Sequence, residues 1–254
     1  MFTARGAYLA LYLISFSVFL LVWDYIAQDN SRISFFYSSP SEIFSVLHQD
    51  VSSGRLVEDV VYTLSHVAVG YLLGSLLGLV FGLILWLMPA VGRALNTALV
   101  GLASVPIFAL APLLIIWFGV GLGAKIGVVV LSIVFATTYQ AYKGALRVDL
   151  RFKELKITYR ISDWSYLFKI ILPGTFRELL GTFKLSIGFA LVGGFVAEWI
   201  NSSNGVGHYI LASLGTFDYA RVFGGVLILF VVSLSMVSLL TIVEKSVNSR
   251  QRHL

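Results

Sequence analysis

Repeated apolar runs, each long enough to cross a bilayer, constrain this chain more than any motif does. A helix needs roughly 20 apolar residues to cover about 30 Å of hydrocarbon. Runs of that length occupy about 7–27, 62–88, 97–118, 126–146, 179–200 and 222–243. Of the 254 residues, 58% are hydrophobic and 12% charged, about half the charged share of a soluble domain. A soluble globule could not cover its surface with so few charges. The composition excludes a disordered chain and a nucleic-acid binder, and argues against an ordinary soluble enzyme. The predicted fold class is an all-α polytopic membrane protein of about six transmembrane helices, with residues 1–254 forming one transmembrane domain. The first run follows Arg5, is longer than a signal-peptide core and has no small-x-small cleavage site after it, so it reads as a retained span. The absence of cysteine excludes disulfides, thiolate catalysis and Cys-based metal sites.

Six spans place both ends of the chain on one side of the membrane. That side collects Arg5, Arg93, Lys143, Arg147, Arg151, Lys153, Lys156, Arg160, Lys169, Arg177, Lys245, Arg250 and Arg252, against Arg32, Arg55, Lys125 and Arg221 on the other. Cytoplasmic loops carry the excess of Lys and Arg. Both termini, the 89–96 loop and the 147–173 loop are therefore expected in the cytoplasm of a multi-pass plasma-membrane protein. The segment Ser41–Asp50 has Ile43, Val46 and Leu47 at helical spacing and reads as a short interfacial helix. Pro106 and Pro112 fall inside the third run, where neighbouring helices can re-satisfy the freed carbonyls.

Three features within the runs invite a functional reading. Gly70, Gly74, Gly78 and Gly82 repeat every four residues on one helix face, a stripe that lets another backbone approach closely, within the chain or between subunits. Lys184 lies in the fifth run, where an ionisable group costs a few kcal/mol unless it snorkels or pairs. It reads either as a snorkelling side chain or as a cation beside a path for an anionic solute. Thr138 and Gln140, at the polar end of the fourth run, are further candidates for such a path. Glu198, at the outer end of the fifth run, reads as interfacial rather than as a gate residue.

Enzyme signatures are missing. No G-x-x-x-x-G-K-[ST] loop, H-E-x-x-H pair or G-x-S-x-G elbow occurs, and the four histidines are scattered. The chain is expected to have no catalytic or metal site. The informative segment is 147–173, the most charged part of the chain. Leu155, Ile157 and Tyr159, then Trp164, Leu167, Phe168 and Ile171, alternate with basic residues at roughly helical spacing; Ser162 and Asp163 suit a helix start, and Pro173 a helix end. Two short amphipathic helices of this kind could lie on lipid or dock a soluble partner.

This loop resembles the cytoplasmic coupling loop of permease subunits of bacterial ABC importers. The family pattern is Glu-Ala-Ala, a Gly four residues later, and Ile-x-Leu-Pro beginning ten residues after that Gly. Glu154, Ile170, Leu172 and Pro173 match; Leu155 and Lys156 replace the alanines, and Arg160 replaces the glycine. Ser39-Pro40-Ser41-Glu42, Ala103-Ser-Val-Pro106 with Ala111-Pro112-Leu, Trp117-Phe118-Gly119-Val-Gly121, Ala197-Glu198-Trp199-Ile200 with Gly205-Val-Gly207, and Gly215-Thr216-Phe217-Asp218 are similar to the nitrate, sulfonate, taurine and bicarbonate branch, which also includes importers of vitamin precursors.

The resemblance implies a type I importer permease fold. It also implies partners: a second permease copy, two cytoplasmic ABC ATPase subunits that bind ATP and Mg, an external solute-binding protein, and membrane lipid. The ATPase-coupling residues it implies are Glu154, Leu155, Tyr159, Arg160, Ser162, Trp164, Phe168, Ile170, Leu172 and Pro173, with no cofactor in this chain. The expected solute is small and anionic, or alternatively a vitamin precursor. A secondary transporter without an ATPase is the competing class; it would be expected to carry intramembrane acids or a broken-helix repeat.

Overall fold

The computed structural model describes residues 2–29 and 38–249. Arg32, Arg250 and Arg252 of the charge asymmetry lie outside them. The described residues form helices and no strands: α1 (Phe2–Asp29), α2 (Pro40–Ser52), α3 (Arg55–Leu87), α4 (Pro89–Ala103), α5 (Ile107–Phe118), α6 (Leu122–Thr158), α7 (Asp163–Tyr166), a π-helical turn (Leu167–Ile171), α8 (Leu172–Asn201), α9 (Val206–Gly215) and α10 (Tyr219–Ser249). The expected interfacial helix lies in α2. Its N-cap Ser39 accepts a hydrogen bond from the Glu42 amide at 3.2 Å, and Pro40 follows in the first turn, where its missing N–H costs nothing.

Four stretches are single helices long and apolar enough to cross a membrane: Arg55–Leu87, Leu122–Thr158, Asp163–Asn201 and Tyr219–Ile242. Between the first two of these, α4 and α5 together have the composition of a span but are bent by 95°. In α1, the stretch Ser17–Ala27 is apolar, and the expected first span of 7–27 falls in that helix.

The glycine stripe determines how the centre packs. A Cβ at Gly70 would meet Val129, at Gly74 Ile133, at Gly78 Thr137 and at Gly82 Ala141. Both partners advance by four residues, so α3 and α6 run parallel and in register, backbone against backbone, within one chain. Because lipid tails are as apolar as leucine, the gain comes from close van der Waals approach rather than from exclusion of water. Two parallel neighbours require the chain to return across the membrane between them, so α4 and α5 are the two halves of one crossing. Helix α8 then runs antiparallel to α6, with Gly144 beside Thr175 and Glu178, and Gly193 beside Ser132. The main core sits where these helices meet, around Val67, Val129, Ile133, Ile187, Ala190 and Leu191.

Three expectations change. The third run, 97–118, is broken rather than continuous: α4 closes with short-range bonds from the Ser104 and Val105 amides to Gly101 and Leu102, and α5 starts after Pro106. Proline has no amide hydrogen and disfavours helical geometry in the residue before it, here Val105. Pro112, in contrast, is carried inside α5. The 147–173 segment is not wholly a loop, because α6 continues through Arg147 to Thr158. Pro173 does not end a helix. The preceding π-helical turn, in which the Leu172 amide bonds the Leu167 carbonyl, widens the ladder ahead of the proline, and the helix continues into α8.

Candidate functional site

The basic end of α6 and the segment after it form an elbow. Helix α6 terminates at a left-handed residue, Arg160, with φ of +48°. The Arg160 amide bonds the Ile157 carbonyl at 3.3 Å, and the Ile161 amide bonds the Lys156 carbonyl at 3.0 Å. This is the two-bond closure usually made with glycine, so the turn geometry survives the replacement of glycine by arginine. Ser162 then caps α7, accepting from the Ser165 amide at 3.4 Å, and Lys156 pairs with Asp163 at 2.6 Å across the corner.

Tyr166 anchors the elbow. It is fully buried beside Ala145, Val148 and Ile171, and its hydroxyl donates to Asp149 Oδ1 at 2.9 Å. With that side pinned to α6, the opposite side projects outward. Trp164 is 72% exposed and stacks on Phe168, with ring centroids 5.8 Å apart and planes within 9°. Tyr159, Leu155, Arg160 and Glu154 are also exposed, whereas Ile170 and Leu172 are half-buried and Pro173 is exposed. The elbow thus offers aromatic surface, a carboxylate and an arginine on a rigid mount. Lys169 and Arg177 add positive charge nearby, and Arg147 pairs with Glu178 at 3.0 Å.

The residues expected along a path do not converge. Thr138 is buried, and its hydroxyl donates to its own helix at the Val134 carbonyl, 2.8 Å away; Gln140 is exposed. Lys184 neither snorkels freely nor stands as an uncompensated cation: its ammonium pairs with the Glu244 carboxylate of α10.

At the opposite end of the molecule the structure assembles a buried polar knot. Glu198, expected to be interfacial, is 0% exposed. Its carboxylate accepts from Thr63 Oγ1 at 2.7 Å and from the Gly207 amide at 2.7 Å, and lies 3.5 Å from His66 Nε2. Thr63 Oγ1 in turn accepts from the Val206 amide at 2.9 Å, and Asp59 from the Gly205 amide at 2.6 Å. Lys125, expected in an outer loop, is buried in the first turn of α6, donating to the Tyr62 hydroxyl at 2.6 Å and to Ser202 Oγ at 2.8 Å. Every amide at the start of α9 that these carboxylates take up is one a helix N-terminus leaves unpaired. The sequence signal for the knot was the pair Gly205 and Gly207: a Cβ on Gly207 would lie 2.8 Å from that of Glu198. A second clamp ties α2 to α10. Arg221 donates to both oxygens of Asp50, at 2.8 and 3.2 Å, and to Asp218 at 2.6 Å, while the Tyr209 hydroxyl donates to Asp50 at 2.7 Å. The arginine holds the Asp50 carboxyl below the usual carboxylate range.

A family model described as the binding-protein-dependent transport system inner membrane component matches residues 70–249. The chain belongs to that family. The permease is similar to a probable ABC transporter permease protein of Haemophilus influenzae, 30% identical over 86% of this chain and 89% of the relative. It is also similar to the formylaminopyrimidine transport permease protein ThiX of Halalkalibacterium halodurans, 26% identical over 84% and 85% of the two chains. A third relative is the putative aliphatic sulfonates transport permease protein SsuC of Bacillus subtilis, 28% identical over 90% and 83%. The permease shares its fold with a chain of the MetNI methionine ABC transporter in an inward-facing conformation, at 15% identity, a TM-score of 0.59 and coverage of 75% of this chain and 98% of that one. It shares it equally with a chain of an amino acid ABC transporter, at 18% identity, 0.59, and 79% and 97%. The protein is a multi-pass transmembrane permease subunit of an ABC importer.

Proposed function

We propose that the permease forms the translocation path for a small solute delivered by an external binding protein, and that the elbow of residues 154–173 is where a cytoplasmic ATPase takes hold. The observation that carries this is the left-handed closure at Arg160, which presents Glu154, Tyr159, Trp164 and Phe168 outward on a mount pinned by Tyr166. Two permease copies, most simply identical, pair with two ATPases that bind ATP and Mg. The elbow and both termini then lie in the cytoplasm, on the side favoured by the excess of Lys and Arg. Nucleotide binding closes the ATPase pair and moves the elbows, and the helices switch between inward- and outward-facing arrangements. The drive is the differential affinity of ATP and of the binding protein for the two states.

The experiment is Glu154→Ala in the assembled transporter in liposomes. Solute uptake is expected to fall at least about tenfold, a barrier change of about 1.4 kcal/mol, with the permease still in the membrane and the ATPase no longer stimulated by binding protein. Unchanged uptake would remove the elbow from the coupling route.

The solute class follows from charge. The anionic reading leaned on Lys184 and on the likeness to the nitrate, sulfonate and taurine branch, and the Glu244 pairing, which leaves the lysine without net charge to offer, removes the first of these supports. This favours the second reading, an uncharged vitamin-precursor-like solute, in keeping with what the name of the formylaminopyrimidine permease says of that relative. Uptake driven by binding protein loaded with a sulfonate would reverse the preference.

A further inference from the structure

The break between α4 and α5 lies at a depth where lipid does not tolerate it. Residues 101–106 are all exposed, and the break packs beside Ser132 of α6 and Val192 of α8. Ser132 is ten residues into α6, about 15 Å along it, and Val192 is nine residues short of the outer end of α8. Both place the break near the middle of roughly 30 Å of hydrocarbon. Non-helical backbone at that depth is found only where protein buries it or water lines it. Within this chain it is not buried, and a cavity of about 230 Å³ opens on it. The walls include Ser104, Val105, Ser132, Phe135, Phe189 and Val192, with no ionisable side chain. Both serine hydroxyls donate to their own helices, at 2.9 and 2.6 Å, which leaves their oxygen lone pairs available to the cavity.

From these observations we infer that this cavity is a solute seat in the wall of the translocation path, and that it takes a small uncharged solute with a flat face. The seat's volume is below the 300–1,000 Å³ typical of drug-sized ligands, so it suits a single small ring. Phe135 and Phe189 supply faces against which a planar ring packs, and the serine oxygens accept from ring or amine N–H groups. An ion would lose its hydration here with no opposite charge to replace it. Lys184, about one and a half turns inward on α8, is already neutralised by Glu244. The kink thus has a use: it exposes backbone and hydroxyl groups at mid-membrane depth without placing a charge there.

The assignment rests on the permease reading but not on the elbow, so labelling can fail while the Glu154→Ala result stands, and the reverse. The chain has no cysteine, which makes the native protein a ready background. Val105→Cys, Ser104→Cys and Phe189→Cys, with Leu76→Cys and Leu234→Cys on apolar helix faces as references, are each treated in intact membranes with 2-hydroxyethyl methanethiosulfonate, a small uncharged reagent of the kind the seat admits. Only a hydrated thiolate reacts. The three seat positions are expected to label at least about tenfold faster than the references, since thiol ionisation is suppressed in apolar surroundings. At Val105→Cys, which leaves the serine and phenylalanine groups of the seat in place, cytosine at about 10 mM is expected to slow labelling about twofold, the effect of half-occupancy at a matching dissociation constant, and ethanesulfonate is expected to leave it unchanged. Labelling no faster than the references at all three positions overturns the seat. Protection by ethanesulfonate, or by neither compound, overturns the solute class.

Discussion

Arg160 is the residue where a local rule is broken at a measurable cost. Left-handed backbone costs an ordinary L-residue roughly 1–2 kcal/mol, and Arg160 bears it at φ of +48° because two backbone bonds and the Lys156–Asp163 pair over-determine the turn. Arg160→Gly is therefore expected to raise the thermal stability of the detergent-solubilised protein by about 1 kcal/mol, reduced somewhat by glycine's greater freedom when unfolded. Fluorescence-detected melting checks the sign. ATPase association should hold or strengthen, and its loss would mean that the guanidinium has a partner of its own. In the sequence the arginine simply stands where the family pattern has glycine. Spacing shows which residue occupies a position, but not how many bonds hold that position in place.

At the scale of the element, the glycine stripe was legible in the sequence as a seam, but its partner was not, because any helix with small or yielding side chains every four residues could have matched it. The structure supplies α6, and the match differs along its length. Opposite Gly70 a new Cβ meets the Val129 side chain, whereas opposite Gly82 it meets backbone, the Tyr142 nitrogen at 2.7 Å and the Thr138 oxygen at 2.8 Å. Side chains can shift, but a helix backbone in a packed interface cannot. Gly82→Ala is expected to cost about 1–3 kcal/mol, seen as a lower melting temperature, while Gly101→Ala, with nothing near it, should be nearly neutral. Equal effects would refute the in-register seam. The break of the third run was not legible for a related reason. Hydropathy continues straight through Ser104–Pro106, and whether a proline bends or breaks a span depends on what lies beside it.

Across the whole molecule, class, apolar runs and charge asymmetry came from composition and pattern, while the Glu198 knot did not. Glu198 meets Thr63 across 135 positions of sequence, and no spacing rule reaches that far. The Asp50–Arg221 clamp is the same kind of feature, tying α2 to α9 and α10. Its pH dependence has a definite sign. A carboxylate held below its ordinary value contributes stability that is fully present above the unfolded value, about 4, and is lost as pH falls through the lower folded value. Melting temperature should therefore drop as the medium is acidified below about pH 4, and Asp50→Asn should flatten that limb while lowering the plateau. An unchanged acid limb would show that the clamp is silent.

The π-helical turn ahead of Pro173 has a mechanical result. By absorbing the proline instead of kinking at it, it leaves one unbroken rod from Asp163 to Asn201, about 55 Å long at 1.5 Å per residue. Trp164 sits near one tip, and Glu198 near the other. A hinge at the proline would have damped any push at the Trp164 tip. Without one, the rod acts as a stiff beam, and a small rotation imposed at the aromatic end is delivered at the carboxylate end, where it strains the bonds that hold the start of α9.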